Sequence, residues 1–143
     1  MKVVERTALL PYSAEAMFDL VNDVASYEKF LPWCDRSEVL SSNEEELSAT
    51  LTVARAGVTQ SFTTRNLLSR PESIHMTLVD GPFSMLDGRW TFTALGEDGC
   101  KVEMTLKFDF DNRLVNMAVS KVFEAATEKL VDAFCERADQ IYG

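Results

Sequence analysis

A chain of 143 residues with 46% hydrophobic and 26% charged side chains has the balance of one soluble domain with a sizeable core. Its net charge of −9 argues against DNA, naked RNA and anionic membranes as partners, because such binders concentrate basic side chains. No apolar run approaches the roughly 20 residues that span a bilayer, and Met1-Lys2-Val3-Val4-Glu5-Arg6 does not open a signal segment. The expectation is a cytoplasmic protein, not integral to a membrane. Cys34, Cys100 and Cys135 stand far apart and read as free thiols there.

Residues 2–10 read as a strand that Pro11 ends. Ser13 suits an N-cap, with Glu15 in the first turn, and Met17, Phe18, Leu20, Val21 and Val24 give a short helix its apolar face. Ser26 caps a second short helix, Tyr27 to Phe30, before Pro32. The two should sit as a clasp and not as a core layer.

From Cys34 to Phe110 the chain reads as six strands, separated by turn signals at 41–44, 56–57, 70–72, 80–82 and 96–99. Short connections favour an antiparallel meander. Val102, Met104, Leu106, Phe108 and Phe110 share a face, as do Leu86, Gly88, Trp90 and Phe92, then Ile74, Met76 and Leu78, then Leu47, Ala49, Leu51 and Val53. On 58–68 the apolar face also carries Gln60, Thr64 and Asn66. Either these polar groups point inward and find partners, or a bulge returns them to solvent.

Residues 112–142 repeat apolar groups at Val115, Val119, Val122, Ala126, Leu130, Ala133, Phe134, Ala138 and Ile141. With Asp111 or Asn112 as N-cap, this predicts one rod of about 45 Å. Glu124, Glu128, Asp132 and Glu136 line its other face, either as a solvated surface or as a dock for a basic partner. The predicted fold is α+β: a seven-stranded curved antiparallel sheet around a long C-terminal helix, with two short helices after the first strand.

Such a sheet and helix should leave an elongated cavity. Val119, Val122, Phe123, Ala126 and Leu130 would line it from the helix, and Phe62, Met76, Trp90 and Met104 from the sheet. Gln60 and Thr64 would offer polar contacts, with Phe30, Leu31, Trp33 and Phe83 at the mouth; Trp33 and Phe83 read equally well as rim or as core plug. The single histidine, His75, falls on the wet face, and there is no nucleophile elbow, phosphate loop or metal-ligand spacing. The expectation is a protein that is not an enzyme and requires no cofactor or metal.

Several segments carry a resemblance: Arg6-Thr7-Ala8-Leu9 with Pro11-Tyr12-Ser13, Tyr27 to Cys34, Phe62-Thr63-Thr64-Arg65-Asn66, and Leu78-Val79-Asp80-Gly81-Pro82-Phe83. Leu86-x-Gly88-x-Trp90-x-Phe92, Phe108-x-Phe110, Val122-Phe123 and Ala133-Phe134-x-x-Arg137-Ala138 complete it. In this order, over residues 1–143, the chain resembles the START-like family of polyketide cyclase/dehydrase type that includes bacterial ribosome association toxins and mitochondrial coenzyme Q-binding proteins. The resemblance implies a helix-grip fold as a single ligand-binding domain. It also implies two functions. One is binding of ubiquinone or another polyprenyl lipid in the cavity in support of respiration. The alternative is association with the large ribosomal subunit, as a toxin of a toxin–antitoxin pair that blocks subunit joining. The acidic charge departs from what a ribosome binder leads one to expect.

Overall fold

The computed structural model describes residues 1–113 and 115–143; position 114 of the predicted C-terminal helical run lies outside them. Its strands are β1 (Lys2–Leu10), β2 (Cys34–Ser42), β3 (Glu46–Arg55), β4 (Val58–Ser69), β5 (Ser73–Asp80), β6 (Phe83–Leu95) and β7 (Gly99–Phe110). They form one antiparallel sheet in the order β1-β7-β6-β5-β4-β3-β2. Consecutive strands pair because their turns are short, and β1 closes against the last strand, with Lys2 opposite Phe108 and Leu10 opposite Cys100. Register shifts in the β2–β3, β4–β5 and β6–β7 pairs mark where the strands bend.

Alternation decides which face is buried. Cys100, Val102, Met104, Leu106 and Phe108 are buried on β7, Leu86, Trp90 and Phe92 on β6, and Leu47, Ala49, Leu51 and Val53 on β3. On β4 the register also holds. Phe62, Thr64 and Asn66 are all buried, and the Thr64 hydroxyl donates to Asn66 Oδ1 at 3.1 Å. The inward polar side chains thus satisfy each other in part.

Helix α1 (Ala14–Asn22) starts at Ser13, whose Oγ accepts from the Ala16 amide at 3.1 Å. It is more than a clasp. Met17, Phe18, Leu20 and Val21 are buried, and Phe18 meets Phe92 edge-on at 5.6 Å. The second short helix is a 3-10 segment that begins earlier than predicted, at Val24, and runs to Lys29.

The C-terminal rod is two helices, α2 (Met117–Glu128) and α3 (Leu130–Tyr142), with Lys129 between them at φ −102, ψ 1. The Thr127 hydroxyl donates back to the Glu124 carbonyl at 2.9 Å, a bond that bends helices. The N-cap is Asn116, which accepts from the Val119 amide, and not Asp111 or Asn112. Asp111 is engaged by the backbone and guanidinium of Arg113. The buried face is also rotated from the predicted one. Phe123, Ala126, Thr127, Val131, Phe134 and Ala138 point inward, with Phe123 and Phe134 as the large side chains that reach the sheet.

Candidate ligand groove

The predicted elongated cavity is largely filled. Phe123 reaches down from α2 into Phe62, Phe83, Phe108 and Phe110, with ring centroids 4.9–5.8 Å apart. Phe134 does the same from α3, meeting Tyr27, Phe30 and Trp90 at 5.3–5.5 Å. Two small voids remain beside these clusters. One of about 10 Å³ touches Gln60, Phe62, Phe83, Val119 and Phe123. The other, of about 30 Å³, touches Thr64, Asn66, Met76 and Trp90. Leu31 and Met104 are buried in the core, and Leu130 packs half-buried against it. A void of about 30 Å³ is water-sized, far short of a lipid.

The large space lies outside this core. A groove of about 820 Å³ runs between the C-terminal helices and the segment after the 3-10 turn. Of the expected lining residues, the fold brings Phe30, Trp33, Val122 and Ala126 together there. Its floor is a stripe at four-residue steps, Lys121, Ala125, Lys129, Ala133 and Arg137, with Val122 and Ala126 beside it. Asp132, Glu136 and Gln140 complete the helical side. Lys29, Phe30, Pro32 and Trp33 make the opposite wall, and the β3–β4 turn adds Arg55 and Ala56.

Local structure explains the wall. The Leu31 amide donates to the Tyr27 carbonyl at 2.9 Å, and Leu31 plugs the core beneath. The Ser37 hydroxyl donates to the Ala25 carbonyl at 3.1 Å and accepts from the Glu28 amide. The Ala54 amide donates to the Trp33 carbonyl at 2.9 Å, tying the wall to β3. Ala56 and Gly57 both have positive φ, 54 and 80, as a two-residue hairpin turn of type I′ requires. That turn sets Arg55 at the groove's end.

Arg137 joins floor and wall. Its guanidinium carbon lies 5.1 Å from the Phe30 ring centroid, and Nη1 reaches Gln140 Oε1 at 3.5 Å. Its Nε is buried without an acceptor among the described residues.

Sequence reasoning missed the basic members of this groove. The four-residue step from Lys121 to Arg137 was visible in the sequence, but the acidic positions between them drew the reading toward a negative face. Elsewhere, His75 Nε2 lies 2.9 Å from Asp87 Oδ2 on the outer face of the sheet. No metal-binding cluster of His, Cys, Asp and Glu occurs among the described residues. Among the described residues no helix is long and apolar enough to cross a membrane.

A curved antiparallel sheet gripping C-terminal helices, with a groove along those helices, defines a START-like helix-grip protein. The chain belongs to the polyketide cyclase / dehydrase and lipid transport family, whose model matches residues 10–135. It is 51% identical over 140 residues to the Ribosome association toxin RatA of Pseudomonas aeruginosa, covering 98% of this chain and 97% of that one. Against the mitochondrial Coenzyme Q-binding protein COQ10 homolog B of Xenopus laevis it is 30% identical, covering 94% of this chain and 57% of the relative. Among solved structures, the 18 kDa protein CC1736 of Caulobacter crescentus is 30% identical, with a TM-score of 0.75 over 100% of this chain and 99% of that one. A START superfamily protein of Mycobacterium smegmatis shares the fold at a TM-score of 0.79 and 21% identity, over 97% of this chain and 98% of that one.

Proposed function

We propose that the protein is a non-enzymatic, cytoplasmic binding protein that holds a polyprenyl quinone such as ubiquinone, or a lipid of similar shape, and so supports respiration. The observation that carries this reading is the groove of about 820 Å³, with Phe30, Trp33, Val122, Ala125, Ala126 and Ala133 on its surface. That volume lies within the range of small-molecule sites. At roughly 25 cal/mol per Å², a few hundred Å² of buried prenyl chain contributes several kcal/mol before ordering costs. The likeness to a coenzyme Q-binding protein supports the ligand class, as does the lipid transport in the family's description. On this reading the ligand occupies the groove and not the interior, so Gln60, Thr64, Met76, Trp90 and Met104 do not touch it.

Lipid extraction from the purified protein, read by mass spectrometry, tests the reading. A polyprenyl species at near one equivalent is expected. Ala125→Trp, at an exposed groove position, should abolish co-purification with the melting temperature unchanged. Ala126 is only 7% exposed, so a tryptophan there would strain the core instead. Empty protein from a lipid-replete membrane lysate would overturn the proposal.

A second reading is favoured by the 51% identity to a ribosome association toxin. Here the protein would bind the large ribosomal subunit and block subunit joining. Sedimentation with purified large subunits tests it, and failure to co-sediment at low salt counts against it.

A further inference from the structure

Among the described residues, six of the fourteen Lys and Arg side chains form ion pairs: Lys2, Arg36, Arg65, Arg70, Lys101 and Arg113. Of the other eight, five line the groove: Lys29, Arg55, Lys121, Lys129 and Arg137. In a chain of net charge −9, this concentration runs against the overall balance. Five cations face only two groove carboxylates, Asp132 and Glu136. The geometry of Arg137 adds to the count of charges. The guanidinium end of Arg137, 5.1 Å from the Phe30 ring centroid, lies at this groove and in no carboxylate pair among the described residues, so its terminal N–H groups are open to an anionic oxygen.

We infer that the groove selects an anionic amphiphile, a prenyl or acyl chain carrying a phosphate or diphosphate head, over one with an uncharged head. This rests on the reading that the groove holds a lipid, and of the two occupants named there it takes the lipid of similar shape, with a charged head, over the uncharged quinone. The chain lies on Phe30, Trp33, Val122 and Ala125, and the phosphate oxygens accept from the Lys and Arg side chains of the groove. The size of the head decides against RNA as the occupant. Screening limits electrostatics to about 8 Å at physiological salt, so a compact head feels only the groove cations. An RNA strand would run on past the groove over the rest of a chain whose net charge is −9.

Calorimetric titration of the full-length protein with farnesyl diphosphate, farnesol, inorganic diphosphate and a uridine oligonucleotide tests the inference. Farnesyl diphosphate should bind at least tenfold tighter than farnesol. That gap should close in Lys121→Gln/Lys129→Gln, two exposed positions, and narrow as salt rises. Asp132→Asn should strengthen binding of the diphosphate lipid severalfold. Equal binding of farnesol and farnesyl diphosphate would overturn the charged-head inference and leave the lipid reading standing. Inorganic diphosphate matching the prenyl form, or the oligonucleotide outcompeting it, would overturn it as well. Should neither prenyl compound bind, the lipid reading itself falls, and this inference with it.

Discussion

Single aromatic residues decide how much space this fold keeps. Phe134, 2% exposed, touches Tyr27, Phe30 and Trp90, and it closes the interior from the α3 side. It also backs the groove wall through Phe30, so it couples the core to the site. Phe134→Ala should cost about 3–5 kcal/mol, the range for deleting a buried aromatic. The urea midpoint reads that loss; a change below about 1 kcal/mol would mean that the neighbours collapse into the gap.

At the scale of an element, the acidic stripe of the C-terminal helices has no single role. Glu128 pairs with Lys2 of β1 at 3.1 Å, Asp132 and Glu136 face the groove, and Asp139 accepts from the Tyr12 hydroxyl at 2.6 Å. Spacing alone treats Glu128 and Asp132 alike, as members of one acidic face. The structure separates them. Glu128→Lys loses a half-exposed ion pair and sets a cation against Lys2, so it should lower stability by under about 1 kcal/mol. Among the described residues Asp132 pairs with no cation, so Asp132→Asn, which adds no sixth cation to the groove, should move the thermal midpoint less than Glu128→Lys does. Matching shifts in the two variants would argue that the Lys2–Glu128 pair carries no weight.

For the whole molecule, the packing of the 3-10 segment onto the sheet makes stability depend on alkaline pH. The Tyr27 hydroxyl is buried and donates to the Val21 carbonyl, and burial raises its pKa far above the usual range. Burial, then the nearby Glu28 carboxylate, pushes the Cys34 thiol from 9.0 up to about 11. Both groups are held neutral in the fold. A folded pKa above the unfolded one gives a contribution that is complete below pH 9 and is lost as pH rises toward 11. Urea midpoints should therefore fall over that window, and Cys34→Ala should flatten the fall. An unchanged slope in the variant would assign the alkaline loss to other groups. Cys100 and Cys135 are also raised, chiefly by burial, and add to the same trend.

Much of this architecture was legible because it depends on local spacing. Period-two alternation placed β3, β6 and β7 with the right faces inward, and turn signals separated all six strands of the meander. Ser13 was readable as a cap because a cap is a contact across three residues. The break at Lys129 was not, since a threonine in a helical run does not show whether its hydroxyl will turn back to the carbonyl three residues before it. The site was less legible still. Phe62 and Phe123 were read as walls of a cavity, and they are instead its filling. Whether an apolar side chain lines a space or occupies it depends on what arrives from the other side. No sequence period carries that information. The groove likewise needs Lys29 to Trp33, Arg55 and the α2–α3 stripe to meet, and only the closed sheet brings them together. Composition determined that the chain is acidic; tertiary structure decided that five of the eight cations without an ion pair among the described residues gather at one place.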